Sequence, residues 1–364
     1  MRRVTESELD DLAIGAAILG TGGGGNPYIG VLLAKQAIRA HGPVELVQVG
    51  EVHDDALVVP SAMMGAPTVM VEKIPRGDEI IRAFEALQEY LGRPITHTVS
   101  IEAGGLNSTT PFGVAARMGI PLVDADGMGR AFPEIQMVTP TMYGVSATPM
   151  ALADEKGNTV ILETIDNRWT ERFARSITID MGCTAMIALY ALSGRQLKES
   201  MVTGTLGLAE ELGRIVRETR AAHGDPVQAV LERLSAFRIF AGKIADVERR
   251  TEAGFAKGEA RIEGVGADAG ATLALRFQNE HLVAVRDGEV VASVPDLIIV
   301  LDAETGEPIT TEELRYGYRV SVLAAPCDER WRTDEGLELA GPRYFGYEID
   351  YLPVEERFGA AARA

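Results

Sequence analysis

The chain has 364 residues, of which 46% are hydrophobic and 24% charged, and a formal net charge of −18. Such a chain can bury a sizeable core, as one large domain or as two to three smaller ones, and is excluded from the disordered class. The acidic balance argues against nucleic acid or an anionic membrane as partner.

The N-terminal sequence MRRVTESELDDLAIGAAILG has an apolar run interrupted by Glu6, Glu8, Asp10 and Asp11, which is not the pattern of a signal peptide. Thr5 to Glu8 has the form of a capping box, and Leu9, Leu12, Ala13, Ala16, Ala17 and Leu19 follow at helical spacing. The run Gly22 to Gly25 ends that helix. Asn26, as N-cap, and Pro27, at the first helical position, open another. Strands are expected over Val44 to Val49 and Ala56 to Met63, then an amphipathic helix in GDEIIRAFEALQEYLG. A strand over Ile95 to Glu102 leads into the loop AGGLNSTT and the helix PFGVAARMG, and PLVDADGMG reads as a short strand running into a loop. The alternation predicts a layered α/β domain with a mostly parallel sheet over residues 1–165.

The segment RWTERFARSITIDMGCTAMIALYALSG reads as two helices with a break near Asp180 to Gly182, part of a helical connection over residues 166–236. From about Phe237 strands and turns dominate, so residues 237–364 are expected to form a β-rich, barrel-like domain ending in a frayed tail, FGAAARA. No uncharged apolar run reaches the roughly 18 residues of a membrane span. The two cysteines, Cys183 and Cys327, leave no disulfide framework beyond one bridge, which fits a reducing cytoplasm. The apolar stretch PSAMMGAPTVMV invites a homo-oligomer, although Met63, Met64 and Met70 suit a core equally well.

Four features have the chemistry of a site. In TGGGGNP, a helix rather than a strand precedes the glycines and no Lys-Ser or Lys-Thr follows, so both nucleotide fingerprints fail. What remains is a set of backbone amides at a helix N-terminus, a seat for an anion or oxyanion formed by Thr21, Gly22, Gly23, Gly24, Gly25 and Asn26. The alternative is a close helix–helix corner. In SIEAGGLNSTTP, Glu102 and Asn107 lie beyond a strand end, where α/β sheets bind ligands, while His97 reads as structural. In VDADGMGRAFPE, Asp124 and Asp126 leave a strand on opposite sides, so at least one is expected to face the Glu102 crevice. Arg130 is placed to hold a substrate carboxylate, and capping or ion pairing is the alternative for each of the three. Cys183, just after Gly182 and read as near a helix start, is a nucleophile candidate against the commoner fate of a small buried hydrophobe. No metal-ligand motif appears, which predicts no cofactor without excluding zinc.

Taken together, LGTGGGGNPYIG, EAGGLNS, PLVDADGMGRAFPEIQM, DMGC and RWRTDEGLELAGPRYFGYEIDY resemble the bacterial family catalogued as domain of unknown function 917, associated with S-methyl thiohydantoin desulfurase. The resemblance runs over nearly the whole chain. It implies an N-terminal α/β domain and a C-terminal β-rich domain. It also implies a hydrolase that replaces the methylthio group of a hydantoin-like ring with oxygen and releases methanethiol. For that chemistry a carboxylate among Glu102, Asp124 and Asp126 would act as general base, or Cys183 would attack directly. An amidohydrolase of a related ring, with or without the help of a metal, and a non-catalytic small-molecule-binding protein are the alternatives.

Overall fold

The computed structural model describes residues 1–65, 76–252 and 254–358. Met70 and the tail beyond Phe358 lie outside the described residues. In chain order the strands of the first part are β1 (Arg2–Val4), β2 (Val44–Val47), β3 (Leu57–Gly65), β4 (His97–Ser100), β5 (Leu122–Val123), β6 (Ala125–Asp126), β7 (Met150–Ala153), β8 (Thr159–Leu162), β9 (Thr184–Ala188), β10 (Leu192–Ser193) and β11 (Val202–Thr203). The second part contributes β12 (Phe237–Glu252), β13 (Phe255–Gly264), β14 (Thr272–Gln278), β15 (Glu280–Arg286), β16 (Glu289–Ser293), β17 (Leu297–Asp302) and β18 (Arg319–Ala325).

Among the described residues the first sheet is nine-stranded and mixed, in the order β1-β2-β5-β4-β3-β9-β7-β8, with β10 also on β3. β2, β5, β4 and β3 run parallel, and the remaining pairs are antiparallel. β3 is the strand where direction changes, parallel to β4 on one side and antiparallel to β9 on the other. The second sheet is antiparallel throughout, in the order β16-β15-β14-β13-β12-β18-β17, and curls into a half-barrel.

Period-two alternation decides how the two parts meet. In β17, Ile298 and Val300 join the apolar interior of the half-barrel with Phe240, Ile262 and Phe277. Leu297, Ile299 and Leu301 face the other way and belong to the same core as Leu9, Ile18 and Val123 of the first part. A strand buried on both faces reads as an unbroken apolar run, as LIIVLD does. The joint between the parts is therefore a continuous core.

Two elements differ from the sequence reading. The expected second helix after Gly182 is instead β9, an interior strand of the first sheet, and only Asn167–Asp180 is helical. A short apolar run buried on all sides carries no period that separates strand from helix. The expected loop AGGLNSTT is mostly helix, because the helix runs Gly105–Met118 with Pro111 inside it. Pro111 has no N–H for the carbonyl of Asn107. The Ser100 hydroxyl compensates, donating between the carbonyls of Asn107 (3.0 Å) and Glu102 (2.6 Å). Asn107 thus sits in the first turn of a helix that starts just beyond β4.

Candidate active site

The carboxyl ends of β3 and β4 open onto a cleft with about 660 Å³ of empty space, part of it open to solvent. Its walls come from both parts: Met63 and Glu102 from the first sheet, Gly23 and Gly24 from the glycine loop, and Glu280 and Glu312 from the half-barrel. The crevice beyond the strand ends is where the sequence placed it. Its opposite wall belongs to the second domain.

Glu102 is the best-held group. Asn107 Nδ2 donates to Glu102 Oε1 at 2.7 Å, and Asn107 Oδ1 accepts from the Met63 amide at 2.7 Å, so one amide side chain ties the carboxylate to the end of β3. Burial pushes the Glu102 carboxyl up to about 7. Hydrogen bonds from Asn107 and the Phe132 amide oppose that rise, and the negative charge of Asp126 adds to it. A carboxyl with that value exchanges a proton readily at neutral pH.

Glu280 opens β15 and is buried. Its Oε1 lies against the glycine loop: a side-chain carbon at Gly23 would come within 1.9 Å of it. Burial, and then the charge of Glu102, raise its carboxyl well above the ordinary range, against the pull of Arg130. Oε2 has no hydrogen-bond partner among the described residues. Beside it, His281 places Nδ1 3.0 Å from the Ile298 carbonyl, so that nitrogen carries the proton. Burial lowers the His281 ring to about 4, leaving it neutral at physiological pH.

The glycine loop is a joint more than an anion seat. The Gly23 amide closes a turn onto the Gly20 carbonyl at 2.8 Å. The Gly22 carbonyl accepts from the Thr311 amide at 2.8 Å, and the Thr21 carbonyl from the His281 amide at 2.8 Å. Gly23 and Gly24 line the cleft, and what faces Gly23 there is a carboxyl group. Asn26 is the N-cap foreseen for the helix Pro27–His41, accepting from the Tyr28 amide at 2.8 Å, and its own amide donates to Glu313. Neither Asn26 nor Gly25 lines the cleft.

The other expected residues lie outside the cleft. Arg130 is fully buried and does not reach into it: Nη1 donates to the carbonyls of Pro295 (2.7 Å) and Asp296 (2.8 Å), Nη2 to Thr21 Oγ1 (2.8 Å), and Nε to the Ala131 carbonyl. Its donors bind the two parts together, which corrects the expectation of a substrate clamp. Asp124 accepts from the amides of Leu206 (3.0 Å) and Gly207 (3.1 Å), capping the helix Thr205–Ala221. Asp126 accepts from the amides of Met128 and Gly129, and burial raises its carboxyl to about 7. It lies outside the cleft, where its charge raises Glu102 and its carboxylate holds the amide of Met128, a residue of the cleft wall. Cys183 follows the C-terminal end of the helix Asn167–Asp180 rather than a helix start, and is exposed rather than buried. It too stands outside the cleft.

Glu280 and Glu312 were missed from the sequence. The signal available was an adjacent acid and histidine opening the apolar strand EHLVAV, polar residues that a buried strand does not carry without cause. Among the described residues no group of three or more His, Cys, Asp and Glu is placed to hold a metal ion, and no helix is long and apolar enough to cross a membrane.

Fold and cleft together define a two-domain protein, an α/β layer joined to an antiparallel half-barrel, with an acid-lined site at the joint. Residues 7–164 match the N-terminal domain, and residues 165–354 the C-terminal domain, of the S-Me-THD-like family, and the chain belongs to that family. A crystal structure of a protein from Chromobacterium violaceum is 25% identical, covers 97% of this chain and 100% of its own, and superposes with a TM-score of 0.80. A search of curated proteins found no match.

Proposed function

We propose that the protein is a hydrolase of the carbon–sulfur bond in an S-methyl thiohydantoin-like ring, yielding a hydantoin and methanethiol. Membership of the S-Me-THD-like family supports the ring class. The observation that carries the chemistry is Glu102, fixed by Asn107 at the strand ends and held near 7. A carboxylate of that kind is matched to taking a proton from water at neutral pH.

In this reading water attacks the ring carbon that bears the methylthio group, and Glu102 takes the proton from that water. The C=N electron pair moves onto the ring nitrogen, which is protonated. The tetrahedral adduct then collapses: the hydroxyl oxygen becomes the carbonyl, the C–S bond breaks, and the departing sulfur takes the proton held by Glu102. The cleft walls of Met63, Met64 and Phe132 suit a small, flat, uncharged ring.

The test is release of methanethiol, followed with a thiol reagent, from a panel of S-methyl thiohydantoins. Turnover by the native chain and a loss of 10²- to 10⁴-fold in Glu102→Gln is the expected result. No methanethiol from any ring of the panel, with folded protein, would refute the reading.

A further inference from the structure

The reaction needs a second proton source, because the ring nitrogen must be protonated as water adds. From the Glu280 carboxyl, seated on Gly23 with Oε2 buried and unpartnered among the described residues, at the wall of the cleft that holds Glu102, we infer that Glu280 is the catalytic acid delivered by the C-terminal domain. This assignment rests on the ring hydrolysis proposed above.

Three observations favour Glu280 for that role. It is wholly buried yet lines the cleft, so its carboxyl is shielded from bulk water and still able to meet a ligand. Its Oε1 packs on Gly23, where no side chain displaces it, so the orientation is set by backbone. Its Oε2 has no protein partner among the described residues, an arrangement that costs free energy unless a ligand completes it.

The charged groups around it set its protonation. Glu102 faces it from the first domain, Glu312 from the segment after β17, and Arg130 from behind, while the adjacent His281 is neutral. Two acids press it toward the neutral form and one guanidinium opposes them. Glu102 and Glu280 then have different tasks by environment: one sits near 7 and can take a proton, while the other is pressed by burial and by the charges of Glu102 and Glu312 toward its neutral, proton-donating form.

The proton account closes. Glu280 gives its proton to the ring nitrogen while Glu102 takes one from water. On collapse the hydroxyl proton of the adduct returns to Glu280, and the Glu102 proton leaves with methanethiol. Both carboxyls end as they began. The pair offers a donor beside an acceptor, which selects a ring whose reacting carbon lies between an imine-type nitrogen and an open face for water. Neither domain holds both groups, so the activity belongs to the assembled chain.

Two measurements on the full-length protein test this. The first needs no substrate: infrared spectra at pH 8 should contain the carbonyl stretch of a protonated carboxylic acid that is missing in Glu280→Gln. Absence of that band from the native protein, or its persistence in the variant, overturns the assignment even if the proposed reaction is correct. The second uses the S-methyl thiohydantoin that the native chain turns over. Glu280→Gln should lose 10²-fold or more in kcat and lose the alkaline limb of the pH profile, and Glu102→Gln should lose the acid limb. A Glu280→Gln enzyme with native rate and both limbs refutes the role, and thermal unfolding at the native temperature keeps a folding defect from imitating it.

Discussion

The carboxyl of Glu280 and the backbone of Gly23 touch across the joint between the two domains, with room for nothing between them. A methyl group at position 23 would come within 1.9 Å of Oε1 and 2.5 Å of the carbons behind it. The φ angle at Gly23 is not positive, unlike those of Gly22, Gly24 and Gly25, so alanine is compatible with the backbone there. Gly23→Ala is therefore a displacement of Glu280 with little else changed. Methanethiol release should fall at least as far as in Glu280→Asp, with an overpacking cost of about 1–3 kcal/mol in denaturant unfolding. Gly22→Ala meets the His281 ring as well as a φ of +89° and should destabilise more. A Gly23→Ala enzyme of native rate would mean that Glu280 has no task to be moved from.

Acid groups inside the joint also set the pH dependence of stability. Glu102 and Asp126 have ordinary values of 4.5 and 3.8, and burial raises both to about 7 in the folded chain. Between those limits the folded state holds protons that the unfolded state has released. Their contribution is therefore complete below the ordinary values and is lost as pH rises through 7. Asp126→Asn keeps an oxygen for the amides of Met128 and Gly129 and removes the buried charge. It should gain on the order of 2 kcal/mol over the native chain at pH 8 and nothing at pH 4, read from denaturant midpoints at the two pH values. An equal effect at both would place the cause elsewhere.

How far the sequence reached can be judged residue by residue. Glu102 and Asn107 were legible because the ends of parallel strands are a fixed place in an α/β sheet, and both lie within ten residues of β4. The glycine loop was legible as something that needs close approach, but what approaches Gly22 and Gly23 comes from more than 250 residues away, at His281 and Glu280, while Gly24 meets the backbone of Gly104. Asp124 and Asp126 look alike in VDADG. The amides that take up Asp124 belong to a helix beginning at Thr205, which no local pattern reveals. β9 was misread because burial on every side removes the periodicity on which the reading depends.

Arg130 separates a joint from a binding site. Its guanidinium donates to five oxygens from two domains, and lysine, with a point charge and no planar fork, cannot serve them together. Arg130→Lys should lose about 1.5–3 kcal/mol for each charge-assisted bond left unmade. The Michaelis constant for a neutral ring should stay within about two-fold, since the side chain lies outside the cleft. A raised Michaelis constant with an unchanged unfolding midpoint would restore the substrate-clamp role.

Cys183 offers the cleanest separation between a reactive thiol and a catalytic one. It is exposed, takes a φ of +68° between a helix end and β9, and is absent from the cleft walls. A thiol reagent should therefore modify it quickly, whereas Cys327, buried and with its thiol raised by burial to about 12, should react only after unfolding. Mass spectrometry would show one label per native chain. Methanethiol release should be unchanged by that label, and Cys183→Ser should keep its rate within about two-fold. A covalent route through sulfur requires the opposite: loss of turnover in step with labelling, protection by substrate, and an inactive serine variant. That outcome would move the chemistry from Glu102 to the start of β9, where Cys183 lies beside Gly65 at the rim of the cleft.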